Sequence, residues 1–352
     1  MLKVANISKR LGDFHLTDIS LGVEQGDYYV LMGRSGSGKT QLLELLAGLT
    51  LPDAGTVTMN GRDITWMKPQ KRNIGFVFQD FAVFPHMSTF NNIAYPLRIR
   101  KMPADEINRR VHDIARKMNI ESILNRSTTN LSGGELQRTA IARTLVTSPD
   151  LLLLDEPLAS IDASLKDDIT RLLRSINRSG QTIIHVTHDY SEAIGLASKV
   201  GVIHEGRLIQ SGTPQEVFGH PINRFVARYT GIRNFFRVKF VTENGKVFGK
   251  TEGGLTLALN GGNYPDDGLL IIRSNNVRLL LDSHRETAQN YFTGRIVELV
   301  ATPSGYDVEI DAGDRIYASV AGGDRLLSEL REGATVTFGM APDDLVWLKG
   351  TR

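Results

Sequence analysis

Up to about residue 230, short uninterrupted apolar runs alternate with amphipathic stretches, the pattern of a mainly parallel sheet covered by helices. Tyr28 to Met32, Leu151 to Leu154 and Thr182 to Val186 read as buried strands, and Thr40 to Ala47 reads as a helix after the first of them. Between 81 and about 147 the text turns charged and helical. Ile107 and Val111, then Ile114 to Met118, carry apolar residues at helical spacing, which predicts a helical insertion in the α/β unit. Beyond Gly231 strict alternation takes over. Tyr306, Val308 and Ile310 interleave with acids, and Val336, Phe338 and Met340 repeat the pattern, so 231–352 is expected to be a separate β-rich domain after a first domain over 1–230. Asn275 to Leu279 and Asp343 to Trp347 read as matching ends of two similar β-units.

Composition adds mostly exclusions. The 352 residues allow two or three compact units, and a net charge of +2 with acids and bases interspersed offers no basic arm to nucleic acid. The chain has no cysteine, so disulfides and thiolate metal sites are excluded. Met1 to Asn6 lacks the apolar core of a signal peptide, and no run approaches the roughly 18 apolar residues of a membrane span. Any membrane role is expected to act from the cytoplasmic side through a partner.

The candidate chemistry starts at Gly33-Arg34-Ser35-Gly36-Ser37-Gly38-Lys39-Thr40, which fits G-x-x-x-x-G-K-[ST] between a strand and a helix. Glycines let backbone N–H groups turn inward on phosphates, and the helix N-terminus adds its positive end. Lys39 is expected on the β- and γ-phosphates and Thr40 on Mg²⁺. The glycine order is not that of a dinucleotide site. Asp155 and Glu156 end an apolar strand, where a buried carboxylate needs a cation or strong donors to stay ionised. Asp155 is accordingly expected on Mg²⁺, and Glu156 is suited to orient or deprotonate an attacking water. Thr182 to Thr187 deliver His188 and Asp189 to the same sheet edge, where His188 could hydrogen-bond the γ-phosphate; His185 and His204 read as structural.

Leu131-Ser132-Gly133-Gly134-Glu135-Leu136-Gln137-Arg138 resembles the signature motif of ATP-binding-cassette ATPases. Gln79 in Phe76 to Asp80 resembles that family's glutamine loop, and Ala159-Ser160-Ile161-Asp162 its dimer loop. The resemblance implies a P-loop NTPase cassette with Gln79 beside the metal and the reacting phosphate. It further implies a homodimer sandwiching two ATP molecules, in which Ser132, Gly133 and Gly134 serve the nucleotide on Lys39 of the partner subunit. Relatives usually place an adenine-stacking aromatic near position 11, whereas this chain has Leu11. Either Leu11 packs on the base or Phe14 substitutes, unless Phe14 belongs to the core of the first small sheet.

Phe81 to Met87 reads either as a groove for a helix from a membrane partner or as core packing of the insertion. The whole chain resembles ATPase subunits of importers for sugars, polyamines, ferric iron, sulfate and molybdate, whose tails hold small oligomer-binding-fold barrels with regulatory roles. That resemblance implies a place on the cytoplasmic face of the membrane, permease partners and, indirectly, an extracytoplasmic solute receptor. Val23 to Tyr28 and Leu43 to Gly48 are most similar to the molybdate/tungstate branch, and Gln289 to Ile296 resemble the start of its oxyanion module. Ala318 to Gly323 depart from the polar strand expected there. A soluble cassette of DNA repair or translation and a P-loop kinase are the rival classes. The first lacks its coiled coil or second cassette here, and the second leaves Leu131 to Arg138 without a task.

Overall fold

The computed structural model describes residues 1–159, 161–280, 290–324, 327 and 330–348, the side chains of 163 and 164 excepted. The chain divides into two compact units, Met1–Val217 and Phe218–Arg352. This division precedes residue 230 for a packing reason. Ala227 and Ile232 cluster with Leu269, Ile271 and Leu348, and Arg273 donates to the carbonyls of Phe218 and Thr230, so the segment before Gly231 is built into the second unit.

In chain order the first unit runs β1 (Leu2–Leu11), β2 (Phe14–Val23), β3 (Tyr28–Met32), α1 (Lys39–Ala47), β4 (Ala54–Met59), β5 (Arg62–Asp63) and β6 (Ile74–Val77). A helical insertion of α2 (Thr89–Ile99), α3 (Ala104–Met118) and α4 (Gly133–Leu145) follows. The unit continues through β7 (Leu151–Asp155), α5 (Ala163–Arg178), β8 (Thr182–Thr187), α6 (Tyr190–Leu196), β9 (Lys199–His204) and β10 (Arg207–Gly212), and α7 (Pro214–Gly219) spans the division. One sheet has the order β2-β1-β4-β5, the other β10-β9-β3-β8-β7-β6. In the second sheet only β10 pairs antiparallel. Every residue of β3, β7 and β8 is buried, which is why these strands are continuous apolar runs rather than alternating ones.

The amphipathic residues of the insertion form one helix, α3, because Ile107, Val111, Ala115 and Met118 share a buried stripe. Asp105 and Glu106 in its first turn and Arg116 and Lys117 in its last complement the helix dipole.

The second unit contains α8 (Arg224–Tyr229) and then β11 (Asn234–Glu243), β12 (Lys246–Thr251), β13 (Thr256–Leu259), β14 (Asp267–Ile272) and β15 (Val277–Leu280). After these come β16 (Tyr291–Thr302), β17 (Gly305–Asp311), β18 (Arg315–Ala321), β19 (Thr335–Met340) and β20 (Val346–Leu348). The sheets are ordered β13-β12-β11-β14-β20 and β15-β19-β16-β17-β18. This is an internal repeat with exchanged ends: each half builds four strands of one sheet and sends its last short strand to the other. The exchanged strands follow two similar 3₁₀ turns, Ser274–Asn276 and Pro342–Asp344, and Asn276 Nδ2 donates to Asp344 Oδ1 at 2.9 Å. The expected pair of β-units is therefore one interlocked body whose buried face includes Phe236, Leu270, Ile310 and Phe338. Gln289 and Ser160 lie outside the described residues.

Candidate functional site

Three adjacent parallel strands end at one edge. Met32 is in register with Thr187, and Asp155 with Val186, so the chain leaves β3 into Gly33, β7 into Glu156 and β8 into His188 at the same place. Ligand sites of open α/β sheets form at this carboxyl edge. Gly36 (φ 76) and Gly38 (φ 102) take left-handed conformations that turn the loop into α1. A Cβ on Gly33 would stand 2.4 Å from the Ile203 carbonyl oxygen and 2.5 Å from Ser37 Oγ, so the backbone approach there requires glycine. Arg34 and Ser35 are exposed at the tip of the loop.

Lys39 is buried and, among the described residues, has no carboxylate in hydrogen-bond contact. Its Nζ donates to the carbonyls of Gly33 at 3.0 Å and Arg34 at 3.1 Å. Burial lowers its pKa, and the nearby charges of Glu156 and Asp155 push it back up. Thr40 Oγ1 donates to Asp155 Oδ1 at 3.2 Å. Burial raises the Asp155 pKa, with the Thr40 hydrogen bond opposing it. Glu156 has φ 43 and donates its N–H to the Val186 carbonyl at 3.0 Å, while its Oε2 lies 3.2 Å from His188 Nδ1. Ser37 Oγ is buried without a partner. A buried ammonium that reaches only its own loop, an orphaned hydroxyl and inward glycines form a donor set that fits a bound polyphosphate. The Thr40–Asp155 oxygens fit a hard divalent cation beside it.

Leu11 and Phe14 face each other across the β1–β2 hairpin, and both are half-buried. They differ in what they reach. The Phe14 ring lies against the loop, where a Cβ on Gly38 would be 2.8 Å from its Cζ. Phe14 also lines a cavity of about 640 Å³ with His15, Arg34, Ser37, His204 and Arg207, and Leu11 does not. The ring packs on the first unit's core as well, as the core reading of Phe14 expected.

Gln79 is exposed in the turn after β6, with no described hydrogen bond to Lys39, Thr40, Asp155 or Glu156. Ser132 N-caps α4 in a capping box: its Oγ accepts from Glu135 N at 3.3 Å, and its own N–H donates to Glu135 Oε2 at 2.8 Å. Arg126 lies 3.6 Å from the other Glu135 oxygen and offsets that negative charge. Ser132 is exposed, Gly133 is half-exposed, and Gly134 packs by Leu165, which would lie 3.3 Å from an added Cβ. No described contact joins Ser132, Gly133 or Gly134 to the Lys39 cluster within this chain.

Two arginines were invisible to motif reasoning. Arg72, 1% exposed, donates to the carbonyls of Leu45 and Leu46 at the end of α1 and to those of Thr65 and Met67, anchoring the helix whose other end is Lys39. Arg143 in α4 donates to the carbonyls of Phe81 and Ala82. A basic residue with neither acidic partner nor motif carries no local signal.

Comparison with known proteins shows the family. A family model described as ABC transporter matches residues 16–159. The molybdate/tungstate import ATP-binding protein of Pyrococcus horikoshii is 39% identical over 297 residues, covering 84% of this chain and 84% of that protein. The spermidine/putrescine import ATP-binding protein of Nitrosomonas europaea is 36% identical over 329 residues, covering 91% of each. A solved dimeric ATP-binding cassette in a post-hydrolysis state, bound to ADP and Pi, has a TM-score of 0.55 and 28% identity, covering 61% of this chain and 99% of that one.

Proposed function

The chain belongs to the ATP-binding subunits of ABC transporters and is a transport ATPase, and from that premise we propose that it powers import of an oxyanion of the molybdate or tungstate class. The observation that carries the cargo is the 39% identity to a molybdate/tungstate import subunit over 84% of both chains. Uptake into proteoliposomes holding the assembled transporter is the test. ATP-driven accumulation of molybdate or tungstate is expected, and accumulation of spermidine instead would overturn the assignment.

In this reading Gly33 to Thr40, including Arg34, Ser35, Gly36, Ser37 and Gly38, enclose the β- and γ-phosphates of ATP, and Lys39 turns from its own carbonyls to them. Thr40 and Asp155, with Gln79, hold Mg²⁺, which when bound neutralises phosphate charge. Glu156 orients the attacking water or takes its proton, and His188 contacts the γ-phosphate. Phe14 stacks on adenine. Ser132, Gly133 and Gly134 offer a hydroxyl and backbone donors to the nucleotide on Lys39 of the partner subunit, so ATP closes a homodimer and hydrolysis opens it. The dimer sits peripherally on the cytoplasmic face beneath its permease, which receives solute from an external receptor. Among the described residues no helix is long and apolar enough to cross a membrane.

A polyamine cargo is the second reading. It is favoured by the 91% coverage of the spermidine/putrescine relative, tail included. Beside the Ser319 strand the tail also presents an acid: Ser319 Oγ donates to Asp307 Oδ1 at 2.8 Å, and Arg233 pairs with Asp307 at 3.1 Å.

A further inference from the structure

Arg143 lies near the C-terminal end of α4, yet its hydrogen bonds leave the helix. Nη1 donates to the Ala82 carbonyl at 2.7 Å and Nη2 to the Phe81 carbonyl at 3.0 Å, while the guanidinium carbon lies 5.1 Å from the centre of the Phe84 ring. Burial is what lowers its pKa, with no carboxylate contributing. Among the described residues the fork, the two carbonyls and the ring form a closed arrangement without an ion pair.

Those carbonyls belong to strained backbone. Phe81 and Ala82 are successive non-glycine residues at φ 63 and φ 45. Left-handed L-residues persist only where their surroundings hold them. The Phe81 N–H donates to the Phe78 carbonyl at 3.0 Å, closing the turn that contains Gln79. One end of α4 is therefore the Ser132 cap, and near its other end Arg143 grips the residues that close the Gln79 turn.

We propose that Arg143 is a positioning residue: it locks the left-handed Phe81–Ala82 pair and so ties the Gln79 turn to the helix that begins at Ser132. The inference rests on the reading of Gln79 as part of the nucleotide site. Gln79 then holds one geometry relative to α4, and the signature cap and the glutamine turn move as one piece. Release of the fork lets the pair relax toward extended backbone and misplaces Gln79 without touching the phosphate loop.

Steady-state ATPase kinetics of the full chain test this. Arg143→Met is expected to lower kcat about tenfold while KM for ATP changes less than about twofold, since the loss falls on chemistry rather than nucleotide binding. Adding Ala82→Gly, which accepts the left-handed conformation without strain, is expected to recover most of kcat. Glycine in an exposed turn would not repair a simple packing defect. Wild-type kcat in Arg143→Met, or a loss that Ala82→Gly fails to rescue, would overturn the inference. If Arg143→Met does not fold, Arg143→Lys keeps the cation but loses the planar fork, and the same loss and rescue are expected. Gln79→Ala reads the premise separately. Its own loss of kcat supports the premise, whereas wild-type turnover would remove it whatever Arg143 does.

Discussion

Glu156 joins a left-handed backbone, φ 43, to a carboxylate 3.2 Å from His188. Glutamine keeps its size and both contacts but cannot act as a base, so Glu156→Gln is expected to retain ATP binding and lose about 10²–10⁴-fold in turnover. Single-turnover hydrolysis measures this, and a wild-type rate would reassign the base. Glu156 was legible because it follows Asp155 at the end of an apolar run. Its conformation was not, since glutamate gives no sign of positive φ. Phe14 and Leu11 could not be separated in the sequence, because hairpin partners are equivalent until the loop opposite them is known. With the Phe14 ring against Gly38, Phe14→Ala is expected to weaken ATP binding by about 1–3 kcal/mol, the scale of base–aromatic stacking, and Leu11→Ala far less. Titration with a fluorescent ATP analogue distinguishes the two.

At the scale of elements, the strands carrying the site were the most legible, because burial on both faces leaves β3, β7 and β8 as uninterrupted apolar text. Their anchoring was not. Nothing in Lys71-Arg72-Asn73 marks Arg72, yet it is buried and closes α1 from behind. Methionine fills much of the same volume but donates to none of the four carbonyls; that of Leu45 keeps the Gly48 N–H, and each of the others costs about 1–3 kcal/mol where it is left buried and unpaired. Arg72→Met is thus expected to destabilise the first unit by about 3 kcal/mol or more, read as a lower denaturant midpoint; an unchanged midpoint would show that the carbonyls find other donors. The repeat in the tail was visible only as the similar segments after β14 and β19. Exchange of β15 and β20 between sheets is a long-range pairing that short motifs do not encode.

At the scale of the whole molecule, the proposed nucleotide site is incomplete in one copy. Lys39, Thr40, Asp155, Glu156 and His188 gather at one strand edge, while Ser132, exposed at the start of α4, has no described contact with them. In the proposed reading catalysis requires two copies, and ATP shifts that equilibrium only if the closed pair binds it more tightly than separate subunits do. The sequence suggests this through the signature motif, whose Ser132 makes only a helix cap among the described contacts. Cargo was less legible, since nothing at the ATP edge touches it. The most direct measurement is sedimentation velocity of the Glu156→Gln chain with ATP and Mg²⁺, with ADP and Mg²⁺, and without nucleotide. A dimer with ATP and a monomer in the other two states is the predicted result. A monomer in all three, or the same dimer in all three, would contradict it.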